Sequence, residues 1–183
     1  NENWQKTSTD EWILLKSTNN DFFKSKSYEL SQGRYFNNFE EKNAENVCII
    51  GHLFAEEVLN DTNPIGKLIT VGKKQYNVIG VLGADKLNTK AGFSFNPWER
   101  RMELRAVYVP LKTGSTYFRN NKTIDFIYLQ AEDGESFAKL KTDITQLLLS
   151  RRNMSHDFDF EDIGSMFITI NQEMDEMLKK WNL

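Results

Sequence analysis

One stretch, residues 61–82, leaves the chain few conformational choices. Asp61-Thr62-Asn63-Pro64-Ile65-Gly66-Lys67 reads as a turn. Pro64 holds its φ near about −65°, and Gly66 opens the left-handed region that other residues avoid. Two strand-type runs follow, Leu68-Ile69-Thr70-Val71 and Gln75-Tyr76-Asn77-Val78-Ile79-Gly80-Val81-Leu82, separated by Gly72-Lys73-Lys74. This pattern predicts a β-hairpin with Gly72 at or beside its turn and Val78, Ile79 and Val81 buried. Gly80, inside the second run, marks a bulge or the close approach of another backbone.

The rest of the chain reads as mixed α and β. Residues 1–10 are polar and expected to fray. Trp12-Ile13-Leu14-Leu15 and Val47-Cys48-Ile49-Ile50 are strand-type runs, the second continuous enough to be buried on both faces. Asp21-Phe22-Phe23 predicts a short turn with one ring inward, Gly33 a turn, and 37–46 a polar loop. After Gly51 a helix is expected, with Leu53, Phe54, Val58 and Leu59 on one face. Residues 85–101 lack a period and predict a long loop of the kind that carries function or moves. Strands are expected over 103–109, stopped by Pro110, and over 124–131. An amphipathic helix follows, capped by Asp133, with Phe137, Leu140, Ile144, Leu147 and Leu148 sharing a face. Met166–Ile170 predicts a last strand, and Asn171 the cap of a final helix bearing Met174, Met177, Leu178 and Trp181. Strand, helix, strand over 123–170 is a βαβ-type unit.

Leu, Ile, Val and Phe supply 49 of the 183 residues, enough for a packed core. No run approaches the ~18 apolar residues of a membrane-spanning helix. The net charge of −3 is spread evenly, with 11 basic and 12 acidic groups in residues 1–91 and 12 and 14 in the rest. A nucleic-acid binder would carry a basic stripe, so that class is set aside. The single Cys48 lies in an apolar run and reads as a buried small hydrophobe. Asn1 opens the chain without an initiator Met or a signal or transit pattern, so an excised piece or a processed product is expected.

Catalytic and metal chemistry find little support. His52 could serve as a general base, but beside Gly51 it reads as a polar residue at a helix start. His156 opens an acidic run with Asp157, Asp159 and Glu161, weighed as a metal site against a solvated turn. It has neither the spacing of an EF-hand loop nor a second histidine for zinc. No catalytic, cofactor-binding or metal residues are assigned, and no cofactor is expected. Arg100, Arg101 and Arg105, interleaved with Glu99 and Glu103, read as a solvated basic face. Phe93, Phe95, Trp98, Tyr117 and Phe118 are large apolar groups in segments read as loops. They need cover, from the core or from a partner.

Gly33-Arg34-Tyr35-Phe36, the strand ending at Gly51, Asn63-Pro64-Ile65-Gly66-Lys67 and Tyr76-Asn77-Val78-Ile79-Gly80-Val81-Leu82 occur in a familiar order. Val107-Tyr108-Val109-Pro110-Leu111 and the segment from Arg152 to His156 extend it. In that order the chain resembles, from about Trp12 to Asn171, the MacB-like periplasmic core domain of ABC-exporter permeases, within the FtsX-like permease superfamily. The resemblance implies an α+β fold: a mixed sheet with a hairpin and packed helices, plus a porter-like βαβ unit. It implies a membrane-distal subdomain over 1–104, a porter-like subdomain over 105–170, and a helix over 171–183 leading toward a missing membrane segment. Only about 30 residues precede Gly33, so the first part of the family's domain is expected to be missing or shortened.

By the same resemblance the function is non-catalytic. An extracytoplasmic domain on the periplasmic side of the inner membrane would couple cytoplasmic ATP hydrolysis to movement of a substrate or adaptor. The implied partners are the transporter's ATP-binding subunit or domain, a second permease copy and a periplasmic adaptor, with no nucleic acid. The alternative is a stand-alone periplasmic domain that senses a ligand; an enzyme is set back by the lack of an acid–base constellation. Candidate partner-binding residues are Phe93, Phe95, Trp98, Arg100 and Arg101, expected in a mobile loop. Neither GxxxxGK[ST] nor GxGxxG occurs in the chain. The purified chain should therefore show no ATP binding by calorimetry, and micromolar affinity would overturn this reading.

Overall fold

The computed structural model describes residues 2–7, 12–26, 28–83, 97–117, 124–129, 134–155, 157–160, 176–177 and 179–180. Within them lie seven strands: β1 (Glu2–Lys6), β2 (Trp12–Thr18), β3 (Leu30–Gly33), β4 (Val47–Ile50), β5 (Leu68–Val71), β6 (Lys74–Leu82) and β7 (Val107–Pro110). The helices are α1 (Asn20–Ser25), α2 (Asn38–Asn43), α3 (Pro97–Leu104), α4 (Leu111–Tyr117) and α5 (Gly134–Arg151). A single π-helical turn, Phe54–Val58, follows β4. The chain divides into two compact units, Asn1–Leu129 and Gln130–Leu183.

All seven strands share one mixed sheet in the order β1-β2-β7-β4-β6-β3, with β5 also on β6. The β2–β7 and β4–β6 pairs are parallel and the others antiparallel. The sheet curls until its ends approach: Thr7 bridges to Val71, and Gly72 N–H donates to Lys6 O at 2.7 Å. Alternation along each strand then feeds two cores. Ile13, Leu15, Cys48, Ile50, Val107 and Val109 face one, which Phe54 and Ala55 of the π turn also enter. Leu14, Ile49 and Tyr108 face the other, beneath Phe22 and Phe23 of α1 and Tyr28 and Phe36. Both faces of β4 and β7 are covered, as their unbroken apolar runs require.

The hairpin is as expected. β5 and β6 pair from Leu68↔Asn77 to Val71↔Lys74 around Gly72, and Val78, Ile79 and Val81 are buried. The preceding turn is tied to it, since Gly66 N–H donates to Val78 O at 2.7 Å and Val78 N–H to Lys67 O at 2.9 Å. At Gly80 the register of β4 on β6 slips, and a Cβ there would stand 2.7 Å from Arg34 O.

Other expectations are corrected. Residues 2–6 are not frayed but form β1, because pairing with β2 satisfies their backbone. Asp21-Phe22-Phe23 belongs to α1, capped by Asn19, and buries both rings. The polar stretch 37–46 contains α2, where Asn37 accepts from Glu40 N–H and Glu40 accepts from Asn37 N–H. Residues 97–104 are helix and not part of a loop or strand: Pro97 suits a first helical position, and β7 starts only at Val107. Residues 124–129 form no strand and are exposed. Residues 161–170 and most of 171–183 lie outside the described residues, so of the βαβ-type unit only α5 is seen. Its Leu147 is exposed, and Leu140, Ile144 and Leu148 are half-buried. β7 lies inside the sheet, and the compact unit that holds the sheet runs to Leu129.

Two left-handed glycines separate strain from contact. Gly33 (φ +78°) would place a Cβ 2.1 Å from Ile79 O, whereas Gly66 (φ +80°) has nothing within 4 Å. Gly66→Ala should cost about 1 kcal/mol for its φ alone. Gly33→Ala should cost that and about 2 kcal/mol more for the forced shift against β6. Urea denaturation at unchanged m-value measures both; equal costs would mean that the Gly33–Ile79 approach is slack.

Candidate partner-binding surface

α3 brings two of the expected partner residues, Trp98 and Arg101, to the surface. Trp98 stands 61% exposed on it, Arg100 falls in the same helix, and Phe93 and Phe95 lie outside the described residues. Arg101 is exposed and donates to Glu57 Oε1 at 2.7 Å. Arg105 Nε lies 3.3 Å from Glu57 Oε2, and its Nη1 donates to Trp12 O at 3.3 Å. The π turn thus lends one carboxylate to two guanidinium groups. Such exposed pairs contribute about 0–1 kcal/mol each, so they orient the arginines more than they stabilise the fold.

The opposite side of α3 is buried. Gly51, which closes β4, would drive a Cβ to 1.9 Å from Leu104 O, so only glycine lets the helix end approach this strand. Glu103, read from sequence as part of a solvated face, is 1% exposed. Its Oε1 accepts from Lys16 Nζ at 3.0 Å and faces Lys26 Nζ at 3.7 Å. Its Oε2 accepts from the Tyr28 hydroxyl, and its backbone carbonyl from Tyr108 OH at 2.9 Å. Burial pushes the Glu103 carboxyl up, but Lys16 and Lys26, with the Tyr28 and Lys16 hydrogen bonds, outweigh it. The net direction is downward. Glu40 is held low in the same way, chiefly by hydrogen bonds from Arg34 at 2.7 and 2.8 Å, with Asn37 N–H also donating.

Beside this cluster the surface opens into two adjoining clefts of about 640 and 380 Å³. They share Thr18, Asn19, Asp21, Leu111 and Ile124 among their lining residues. The segment 124–129 borders the smaller cleft and exposes Ile124, Phe126, Ile127, Tyr128 and Leu129. Trp4 and Trp12 are exposed as well, with Lys6 Nζ 5.7 Å from the Trp12 ring centroid. The sequence does not mark any of these apolar groups as a partner surface. Those in 124–129 were read as strand residues, whose partners would have covered them. Lys16 was the one readable signal of the buried cluster, since it follows Ile13-Leu14-Leu15 in strand alternation and shares a face with Leu14.

Among the described residues, no group of three His, Cys, Asp or Glu could hold a metal ion. His52 is half-buried at the start of the short helical segment after β4. His156 lies outside the described residues; Asp157 pairs with Arg152, and Phe158 and Phe160 meet edge-on at 5.7 Å. Cys48 is fully buried, which pushes its thiol far up.

A family model described as MacB-like periplasmic core domain matches residues 2–147. The macrolide export ATP-binding/permease protein MacB of Wolinella succinogenes is 24% identical over 165 residues, 90% of this chain and 24% of that protein. The pyoverdine export ATP-binding/permease protein PvdT of Pseudomonas fluorescens is 24% identical over 141 residues, 76% of this chain and 20% of its own length. The chain therefore spans about a quarter of the length of these relatives. Among solved structures, the extracellular domain of the noncanonic ABC-type transporter YknZ from Gram-positive bacteria superposes with a TM-score of 0.69. It is 20% identical and covers 88% of this chain and 78% of its own. The periplasmic region of MacB from Actinobacillus actinomycetemcomitans gives 0.66 at 16% identity, covering 93% and 72%. Both show the same fold.

The depressed Glu103 and Glu40 carboxyls set the sign of the pH dependence. A carboxylate lowered in the folded state stabilises the fold above its unfolded pKa, and the gain is lost as pH falls through the folded value. Unfolding free energy should thus hold near neutrality and decline below about pH 4. Glu103→Gln, which leaves the buried Lys16 uncompensated, should cost about 3 kcal/mol at pH 7 and flatten the acid decline. Urea titrations at stepped pH check this; an unchanged acid slope in Glu103→Gln would assign the pH dependence to other groups.

Proposed function

The chain belongs to the MacB-like periplasmic core domain family, and from that premise we propose that it serves an ABC-exporter permease as its extracytoplasmic, non-catalytic domain. The observation that carries this reading is the family match over residues 2–147, laid on a curled sheet whose fold recurs in the periplasmic and extracellular domains of MacB and YknZ. ATP is hydrolysed by the transporter's nucleotide-binding part on the cytoplasmic side. This domain passes the resulting motion to a periplasmic adaptor or to the substrate, beside a second permease copy. The work is coupling between distant sites, with no bond made or broken here. The membrane-distal role of residues 1–104 and the porter-like character of 105–170 belong to the same proposal.

In this reading α3 is the face a partner grips. Trp98 and Arg101 are residue types that interface cores favour, and the helix is braced from beneath by Glu103 and from the side by Glu57. A braced anchor loses little freedom on binding, which conserves affinity. Trp98→Ala in the intact transporter should weaken adaptor binding by about 1–3 kcal/mol. Because Trp98 is exposed, stability of the variant chain should change by less than about 0.5 kcal/mol. Pull-down affinity and urea midpoints measure the two effects. Unaltered binding, or a large loss of stability, would remove α3 from the interface.

A further inference from the structure

The segment 124–129 forms no strand, yet one of its side chains reaches the buried charge cluster. The Lys26 ammonium stands 4.7 Å from the centroid of the Tyr128 ring and 3.7 Å from Glu103 Oε1. The same ring meets Phe22 of α1 edge-on at 5.2 Å. Lys26 is thus held from two sides, by an aromatic face belonging to 124–129 and by a carboxylate belonging to α3.

The members of this chain differ in freedom. Glu103 and Lys16 are 1% and 5% exposed and are locked to each other at 3.0 Å. Tyr128 is 37% exposed, and the Lys26 side chain lies at the rim, 17% exposed. A rim ammonium can exchange its protein contacts for water, which a deeply buried one cannot. Lys26 is therefore the movable link between the segment and the helix.

We propose that Lys26 couples the seating of 124–129 to the seating of α3. With Tyr128 in place, the ring shields the Lys26 ammonium from water and keeps it against Glu103, and α3 is held by both lysines. When Tyr128 withdraws, Lys26 is hydrated, its hold on Glu103 weakens, and α3 loosens. Linkage makes the effect reciprocal: a partner that fixes α3 tightens 124–129. Gln130, which begins the second compact unit, follows this segment directly in the chain. What the coupling is for rests on the reading of α3 as a partner surface; whether it exists does not.

Amide hydrogen exchange on the purified 183-residue chain tests it. Tyr128→Leu should speed exchange about fivefold or more in 97–104, as well as in 124–129. Lys26→Met should speed exchange in both segments, and Tyr128→Leu added to it should change 97–104 no further. Ile127→Ser, at a residue 62% exposed on the same segment, should leave 97–104 as in the parent chain. Tyr128 and Lys26 sit at the rim, so both variants keep the core; should Lys26→Met fail to fold, Lys26→Gln replaces it in the same cycle. Faster exchange confined to 124–129 in Tyr128→Leu, an additive double variant, or an equal effect from Ile127→Ser would each overturn the coupling. A chain that shows it, yet whose Trp98→Ala form binds adaptor normally, keeps this inference and loses the partner surface.

Discussion

Strand β6 must satisfy three neighbours at once, and the sheet is arranged around that demand. Its first half pairs with β5, its second half with β3, and its other edge with β4. A buried strand cannot leave N–H and C=O groups unpaired, so all three partners are needed. The approaches are close enough that side chains are excluded where strands change hands. Gly80 accepts the Arg34 carbonyl against its Cα, and Gly33 does the same for Ile79 on the reverse side. Once β6 is served, β4 and β7 fall into the interior with both faces covered, and the curl closes through Thr7 and Val71.

Glu103 is the second fixed point, and of a different kind. Burying a carboxylate with Lys16 is weak as a source of net stability, because desolvation offsets most of the attraction. It is strong as a constraint on placement. Only one seating of α3 lets Glu103 meet Lys16, Lys26 and Tyr28 together while its backbone carbonyl takes the Tyr108 hydroxyl. Gly51 enforces the same seating sterically, since any larger residue would push the helix end away. Charge and contact thus agree on where the helix lies, and Trp98 and Arg101 inherit their direction from that agreement.

The proposed passing of motion requires rigid parts and places between them that can give. The sheet, with its glycine-tight strand crossings, supplies rigidity. Polar contacts stand in for packing at the Lys26 rim beside Tyr128, where the proposed coupling acts. Exposed aromatic groups gather on the same unit, at Trp4, Trp12, Trp98 and 124–129. Single exposed rings need no explanation; the proposal of a partner face rests on Trp98 standing beside Arg101 on α3.

Residues with local constraints were legible in the sequence. Pro64, Gly66 and Gly72 set the turn and the hairpin, because their allowed φ values decide the chain's course without reference to anything distant. The apolar run Val47–Ile50 announced a strand covered on both faces, and the ordered motifs from Gly33 to Leu82 announced the family. What the sequence concealed depended on long-range partners. Glu103 looks like a surface charge until Lys16, 87 positions away, is folded against it. Residues 97–104 became helix because a short polar stretch has weak preferences of its own, and Pro97, Gly51 and the buried cluster decide for it. Residues 124–129 carry strand-like alternation, but a strand exists only where a neighbour offers its hydrogen bonds. Turns and buried strands are written in single residues; charges, surfaces and edge segments take their meaning from whatever the fold sets beside them.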